Sequence, residues 1–376
     1  MPITVAVPKE QTPGERRVAL VPDIVGRLTQ LGARVIIEKQ MGKSAHFPDS
    51  AYEHTEVVDE SSQLYQQAEV ILKVQPPNEA EIEQMKTGTV VIGFMSPHRY
   101  PERVSKLRDN KITSLAMELV PRISRAQSID ALSSQASVAG YKAVLMAADL
   151  ADVFFPMLTT AAGTIRPAKV LIIGAGVAGL QAIATARRLG AQVEAYDVRA
   201  ATQEQVQSLG AKFVEMPVKA EGEGGYAREL TEEERQQQQD ILAQHVAAAN
   251  VVITTAALPG RASPKIISQA MVEQMRPGAV IVDIAAEGGG NCELTQPGKT
   301  IEHQEVIIHA PLNVPSQTPR HASEMYAKNL FNLLTLMIKE QQLHLNWDDE
   351  VIAGSTLTHG GEIKHAPTRQ QIEGDQ

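Results

Sequence analysis

The run Val170-Leu-Ile-Ile-Gly174-Ala-Gly176-Val-Ala-Gly179-Leu180 constrains this chain more than any other feature. A short apolar β-type segment feeds directly into G-x-G-x-x-G, and a helix-forming segment, Leu180 to Leu189, follows at once. In that order the first glycine makes a tight turn. The second lets the backbone approach a pyrophosphate, and the third lets the helix pack closely on the strand. Ala175, Val177 and Ala178 complete the loop, and the helix start offers unpaired N–H groups and a positive dipole end to phosphates. A second strand, Gln192 to Asp197, ends in an acid about 20 residues after the loop, as recognition of a ribose 2′-hydroxyl requires. An Asp there repels a 2′-phosphate, so the cofactor reads as NAD rather than NADP. Arg199, one residue past Val198, argues weakly the other way, since a nearby Arg can accept that phosphate.

Length and composition narrow the partners. The 376 residues suffice for two domains, each with its own core. A net charge of −9, from 35 basic and 44 acidic residues, argues against nucleic acid or anionic lipid as a partner. Cys292 stands alone, which excludes an intrachain disulfide and points to a reducing, cytoplasmic compartment; a reactive thiol is the alternative for it. The N-terminus runs straight into a strand pattern with no basic, cleavable leader. No stretch approaches the roughly 18 uncharged apolar residues of a membrane span, so direct membrane insertion is not expected.

Strand-like runs at Ile3–Val7, Arg34–Glu38, Val70–Val74, Thr89–Phe94 and Ile112–Met117 alternate with helical segments such as Pro22–Leu31 and Pro101–Asn110. A second series falls at Val170–Ile173, Gln192–Tyr196, Lys212–Glu215, Val251–Thr254, Val280–Ile284 and Val306–Ile308. Such alternation implies parallel sheets with helices on both faces. The expected fold is α/β, with two doubly wound Rossmann-like domains and a cofactor cleft between them. The first spans residues 1–136 and is completed by a C-terminal return over 323–376, where Leu330, Leu333, Leu334 and Met337 share one helical face. The second spans 137–322 and includes a connector helix read from Ser133 to Leu158. Lys219 to Asp240, with Gly224-Gly225-Tyr226 and the Gln236–Gln239 run, reads as an insertion. Its glycines give it the backbone freedom of a mobile lid, and the four Gln read as a solvated helix face.

Ligands of such folds sit beyond the carboxyl ends of the strands. Thr254 to Gly260, with Ala256 and Leu258, and Asp283 to Asn291 are post-strand loops suited to close approach to a ribose or nicotinamide; ordinary tight loops are the alternative. The segment Pro121 to Gln135 carries Arg122, Arg125, Gln127, Asp130 and Ser133. It is either a hydrogen-bonding kit for a carboxamide and a pyrophosphate or a polar surface turn. No H-E-x-x-H, C-x-x-C, G-x-S-x-G or P-loop pattern is present, so no metal site is expected. His98 is the best acid–base candidate among the histidines, with a surface histidine as the alternative.

Pro8-Lys-Glu with Arg17-Val-Ala-Leu resembles the opening of the alanine dehydrogenase and nicotinamide nucleotide transhydrogenase group. Met117 to Gln135 is similar to the Arg-Gln-Asp loop of the NAD(H)-binding component, domain I, of proton-translocating transhydrogenases. Thr160-Ala-Ala-Gly-Thr164, Gly179-Leu-Gln-Ala-Ile-Ala-Thr, Asp197-Val-Arg-Ala-Ala-Thr, Gly225-Tyr226-Ala, Glu287-Gly-Gly-Gly-Asn-Cys292 and Asn313-Val-Pro-Ser316 match the same family, so the resemblance covers nearly the whole chain. It implies that Arg122, Gln127, Asp130 and Ser133 position the nicotinamide end and carry the catalytic role. Residues Gly174 to Gly179 would hold the pyrophosphate and Asp197 the adenosine ribose, with Gly225 and Tyr226 on a flap. In this family, hydride passes between NAD(H) here and NADP(H) on a separate component, coupled to proton movement through a membrane component. The chain ends at Gln376 without membrane helices, which reads as a split-subunit form. Such a form would be a homodimer, held at the inner face of a membrane by separately encoded NADP(H)-binding and membrane-spanning subunits. The alternative within the group is a soluble alanine dehydrogenase, with Arg17 and Lys73 on the substrate carboxylate and His98 as acid–base. Against it, Glu287 stands where that enzyme has Asp, and the surroundings of His98 match poorly. A third reading is an NAD-sensing protein without chemistry.

Overall fold

Apolar runs too short for helices and bounded by Gly, Pro or charge become strands, and proline or a side-chain cap opens most of the helices between them. In chain order the molecule begins with β1 (Thr4–Val7), α1 (Pro22–Gln30), β2 (Arg34–Glu38), β3 (Thr55–Val58), α2 (Ser61–Gln67), β4 (Val70–Leu72), α3 (Glu79–Gln84), β5 (Val90–Gly93), α4 (Pro101–Asp109), β6 (Thr113–Ala116) and α5 (Ala131–Leu150). A hairpin follows, β7 (Leu158–Thr160) and β8 (Gly163–Ile165). Next come β9 (Lys169–Ile173), α6 (Val177–Arg188), β10 (Gln192–Tyr196), α7 (Gln203–Ser208), β11 (Lys212–Phe213), α8 (Glu232–Ala248), β12 (Val251–Thr254), α9 (Gln269–Glu273), β13 (Val280–Asp283), β14 (Thr300–His303) and β15 (Val306–His309). The chain ends with α10 (Pro319–Met337), β16 (Ile338–Lys339), β17 (Gln342–Leu343), α11 (Glu350–Ser355), β18 (Thr356–His359), β19 (Glu362–Ile363) and α12 (Ala366–Glu373). This computed structural model describes residues 2–216, 231–257 and 260–374. It divides into two units, Met1–Gln135 with Pro315–Gln376, and Ala136–Val314.

The first unit holds one sheet in the order β19-β18-β6-β5-β4-β1-β2-β3. Strands β1 to β6 are parallel, so both faces need covering. Alternate residues do this: Val5, Val35, Leu72 and Ile92 meet α1 and α10, while Ala6, Ile36, Ile71 and Val91 meet α2, α3 and α4. Leu330, Leu333, Leu334 and Met337 of α10 are all fully buried, as their helical spacing requires.

The second unit has the order β11-β10-β9-β12-β13-β15-β14, with β9 in the interior. The chain runs outward from β9 through β10 to β11, then returns to pair β12 on the other side of β9. That reversal opens a crevice beyond the carboxyl ends of β9 and β12, where the loops at Gly174 and Thr255 lie. Val170, Ile172, Val193 and Ile253 pack on α5 and α6; Leu171, Ile173, Val252 and Ile281 pack on α8 and α9.

Three features depart from the sequence expectation. The sheets are parallel only in their interiors: β18 and β19 close one edge antiparallel, and β14 closes another. The helix expected to reach Leu158 stops at Leu150. Beyond it the Ala168 N–H reaches the Phe154 and Phe155 carbonyls (both 3.2 Å), and Leu158 to Thr160 pairs with Gly163 to Ile165. These backbone partners become available only once the chain turns back, so helical periodicity could not signal the stop. Of the expected 219–240 lid, residues from Glu232 onward begin α8, where Gln236, Gln237 and Gln239 are exposed. Gly224, Gly225, Tyr226 and Leu258 lie outside the described residues.

The first unit has its own strand reversal, between β1 and β4, and buried charge fills it. Lys73 follows β4 at 1% exposure, with its ammonium 2.7 Å from Glu81 and 3.7 Å from Glu10. Burial alone would discharge Lys73, but Glu10 and Glu81 hold its pKa above the ordinary lysine value. Replacing Lys73 by Met strands two buried carboxylates, which should cost about 3–5 kcal/mol in urea denaturation. Adding Glu81→Gln should recover part of that loss. The deficit of the single variant should also shrink on acidification, because protonation relieves stranded carboxylates whose folded pKa is raised.

Candidate functional site

The turn from β9 into α6 is built by two glycines and left open by a third. Gly174 has φ +95°, the left-handed region that favours glycine. A Cβ on Gly179 would lie 1.8 Å from the Gly174 carbonyl oxygen, so the first turn of α6 touches the strand end directly. A Cβ on Gly176 would meet nothing within 4 Å, and its φ of −79° suits any residue. The loop backbone therefore faces open space at the N-terminus of α6, where a pyrophosphate can approach N–H groups closely. Ala175 is buried, whereas Val177, the first residue of α6, is exposed and Ala178 half-buried. The loop is held from outside as well. Thr255 Oγ1 donates to the Gly174 carbonyl (3.0 Å), and Gly140 of α5 sits so close to Ala178 that a Cβ would lie 2.0 Å from its carbonyl oxygen. These features fit a dinucleotide.

Asp197 follows β10 with its carboxylate almost wholly buried. The Ala175 N–H donates to it (2.7 Å), tying the acid to the glycine loop. Arg199 donates as well, from its backbone N–H, Nε and Nη2, each at 2.9 Å. Burial pulls the Asp197 pKa up, but Arg199 and the two backbone N–H groups outweigh it and hold the acid below its ordinary value. Val198, between them, is 80% exposed.

Beyond β12 and β13 the loops are braced by groups that sequence reading did not single out. Asp283, fully buried, accepts from Thr254 Oγ1 (2.8 Å), the Ala285 N–H (3.1 Å), the Asn291 N–H (2.7 Å), the Cys292 N–H (3.1 Å) and Thr295 Oγ1 (2.5 Å). Asn291 in turn accepts from the Ala256 N–H (3.0 Å) and donates to the Ala256 and Pro264 carbonyls. An acid closing a buried apolar strand, Val-Ile-Val-Asp283, was the available signal, because such a charge needs many donors. Cys292 is buried and its thiol is pushed up to about 11 by burial, which removes the reactive-thiol alternative. Glu287 accepts from the Asn313 N–H (2.9 Å).

In the first unit the Arg122–Ser133 segment is pinned from beneath. Ala126 and Ile129 are buried in the core, and the Ser128 carbonyl accepts from the side chains of Asn329 (2.9 Å) and Asn332 (3.0 Å) on α10. Arg122 and Gln127 are exposed and make no side-chain hydrogen bond or ion pair to another described residue. Asp130 flanks the start of α5, accepting from the Ser133 N–H (2.9 Å) and the Ser133 hydroxyl (2.6 Å), so this pair also caps the helix. Arg125 instead binds Asp349 and Glu350. His98 is an exposed turn residue. Arg17 is buried against Glu15 (2.7 Å) and donates to Gln135 (2.8 Å).

Models of the alanine dehydrogenase/PNT family match both halves of the chain, the N-terminal domain over residues 6–139 and the C-terminal domain over 143–366. The chain is 45% identical over 374 residues to the first portion of the split NAD(P) transhydrogenase subunit alpha of Rhodospirillum rubrum, covering 96% of this chain and 97% of that one. A crystal structure of transhydrogenase from Sinorhizobium meliloti superposes with a TM-score of 0.86 at 42% identity, covering 97% of this chain and 99% of that one. An L-alanine dehydrogenase structure gives a TM-score of 0.82 at 26% identity, covering 99% of both chains.

The glycines separate binding from folding. Gly176→Ala should leave the melting temperature nearly unchanged but weaken NADH binding about tenfold or more, since its methyl enters the space a pyrophosphate needs. Gly179→Ala should destabilise the protein by about 1–3 kcal/mol or more, because the methyl collides with backbone. Thermal melts and NADH fluorescence titration read the two effects apart.

Proposed function

This chain belongs to the alanine dehydrogenase/PNT family, and on that premise we propose that it is the NAD(H)-binding component of a proton-translocating transhydrogenase. The family and the glycine loop together make NAD(H) its cofactor. In this reading, hydride passes directly between NAD(H) on this chain and NADP(H) on a partner subunit, and a membrane-spanning subunit couples the transfer to proton movement. The Rhodospirillum relative is named as one portion of a subunit alpha, which supports the existence of such partners. Among the described residues no helix is long and apolar enough to cross a membrane, which suits a chain held at the inner membrane face by those subunits.

One observation carries the reading. Arg122 and Gln127 extend outward, uncommitted, from a loop whose apolar residues are fixed in the core. Such side chains can orient a nicotinamide without reorganising the fold, while Gly174 to Gly179 and Asp197 anchor the far end of the cofactor. Asp130 and Ser133 hold the start of α5 beneath them. The alanine dehydrogenase alternative needs Arg17 and Lys73 to meet a substrate carboxylate, yet both cations are buried against Glu15, Glu10 and Glu81. Gln127→Asn keeps the amide but shortens its reach by one methylene. Because a misplacement of about 1 Å can cost on the order of 10²-fold in rate, it should sharply lower transhydrogenation in the reconstituted complex, with NADH affinity changed only a few-fold. Normal rates at saturating NADH with collapsed affinity would make Gln127 an anchor instead. Robust NADH formation from alanine by the wild-type chain alone would favour the dehydrogenase.

A homodimer is part of the same proposal, and the β7–β8 hairpin supports it. Every residue of the two strands is exposed, and Phe154 (52%), Met157 (64%) and Ile165 (48%) are large apolar side chains in water. A two-stranded hairpin is marginal by itself. Residues 153–165 carry no charge, so the patch can meet its own copy across a two-fold axis without like-charge repulsion. Met157→Glu with Ile165→Glu should convert a two-copy mass in light scattering to one copy, with the circular dichroism spectrum retained. A wild-type mass of one copy at micromolar concentration would remove the proposal.

A further inference from the structure

Arg199 does more than stand near the ribose site. A carboxylate offers about four lone-pair positions, and four donors converge on Asp197. Oδ1 accepts from the Arg199 N–H and Nε, and Oδ2 from Arg199 Nη2 and the Ala175 N–H, at 2.7–2.9 Å. A ribose diol must donate to this acid, yet the acid is already saturated. Only the guanidinium can leave cheaply. The other two donors are backbone N–H groups, one of them in the glycine loop. The Asp197 side chain is 5% exposed and that of Arg199 60%, so the arginine itself is the cover over the acid.

We propose that Arg199 is a latch on the ribose acceptor, bound to Asp197 until an adenosine ribose displaces it, and that it thereby sets the preference between the two nicotinamide cofactors. The inference rests on Asp197 being that acceptor. The displaced guanidinium stays tethered two residues from Asp197, beside the 2′ position. It opposes NADH, whose ribose must break the pair. It favours NADPH, whose 2′-phosphate it can neutralise where Asp197 alone would repel it. Removal therefore moves the two affinities in opposite directions, which neither a simple cofactor contact nor a structural residue does.

The test is fluorescence titration of NADH and NADPH onto the whole chain, comparing wild type with Arg199→Met, Arg199→Lys and Asp197→Asn. An exposed ion pair is worth up to about 1 kcal/mol, or about fivefold. Arg199→Met should bind NADH about two- to fivefold more tightly and NADPH more weakly, with Arg199→Lys between it and wild type. The NADH advantage of Arg199→Met should narrow as salt rises, because salt already loosens the wild-type latch. Weaker or unchanged NADH binding by Arg199→Met overturns the latch. Asp197→Asn separates the two levels: if it weakens NADH while Arg199→Met fails to strengthen it, the latch alone is wrong. If Asp197→Asn leaves NADH affinity intact, the ribose assignment and the latch fall together.

Discussion

The contact on which the second unit depends is that of Gly179 with the Gly174 carbonyl. No side chain fits between them, since even a Cβ would come within 1.8 Å. The contact turns the end of β9 straight into α6, and α6 then covers one face of the sheet through Ala182, Ile183 and Ala186. Thr255 and Asp197 reach the same turn by hydrogen bonds from the neighbouring loops. A glycine pair thus brings three post-strand segments together, with the Gly176 backbone left facing open space.

The two units use the same topological feature in opposite ways. Each sheet reverses its strand order beside a central strand, which is where open α/β sheets leave a crevice. In the first unit Glu10, Lys73 and Glu81 fill that place, with Tyr65 donating to Glu81 (2.8 Å). Buried ion networks of this kind lock geometry more than they stabilise it. In the second unit the crevice is lined by glycine backbone and offers unpaired N–H groups. The outward-facing Arg122 and Gln127 fit a unit that presents a cofactor rather than one that encloses a small carboxylate.

Much of this was legible in the chain. The strands at Arg34–Glu38, Gln192–Tyr196 and Val251–Thr254 form at the boundaries that their composition predicts. The apolar face of α10 is buried as its spacing predicts. Strands β3, β14, β18 and β19 were missed, because half-exposed or very short edge strands have too few apolar residues to stand out. The hairpin of β7 and β8 was hidden for a related reason: its small residues and threonines read as a continuation of an alanine-rich helix.

The sequence by itself determined the fold class and the place of the dinucleotide loop, because glycine requirements and apolar periodicity act over a few neighbouring residues. It also carried the family, through the matched motifs. Only the tertiary structure decided which charges are spent internally. That Arg17, Lys73 and Asp283 face buried partners, while Arg122 and Gln127 do not, depends on residues brought together from distant segments of the chain. Asp197 and Arg199 are near neighbours, yet their pairing also emerged only in three dimensions, where the end of β10 aims both at one point beside the glycine turn. The physical reason is that a charge is satisfied by whatever lies within about 3 Å of it, and that distance is set by packing.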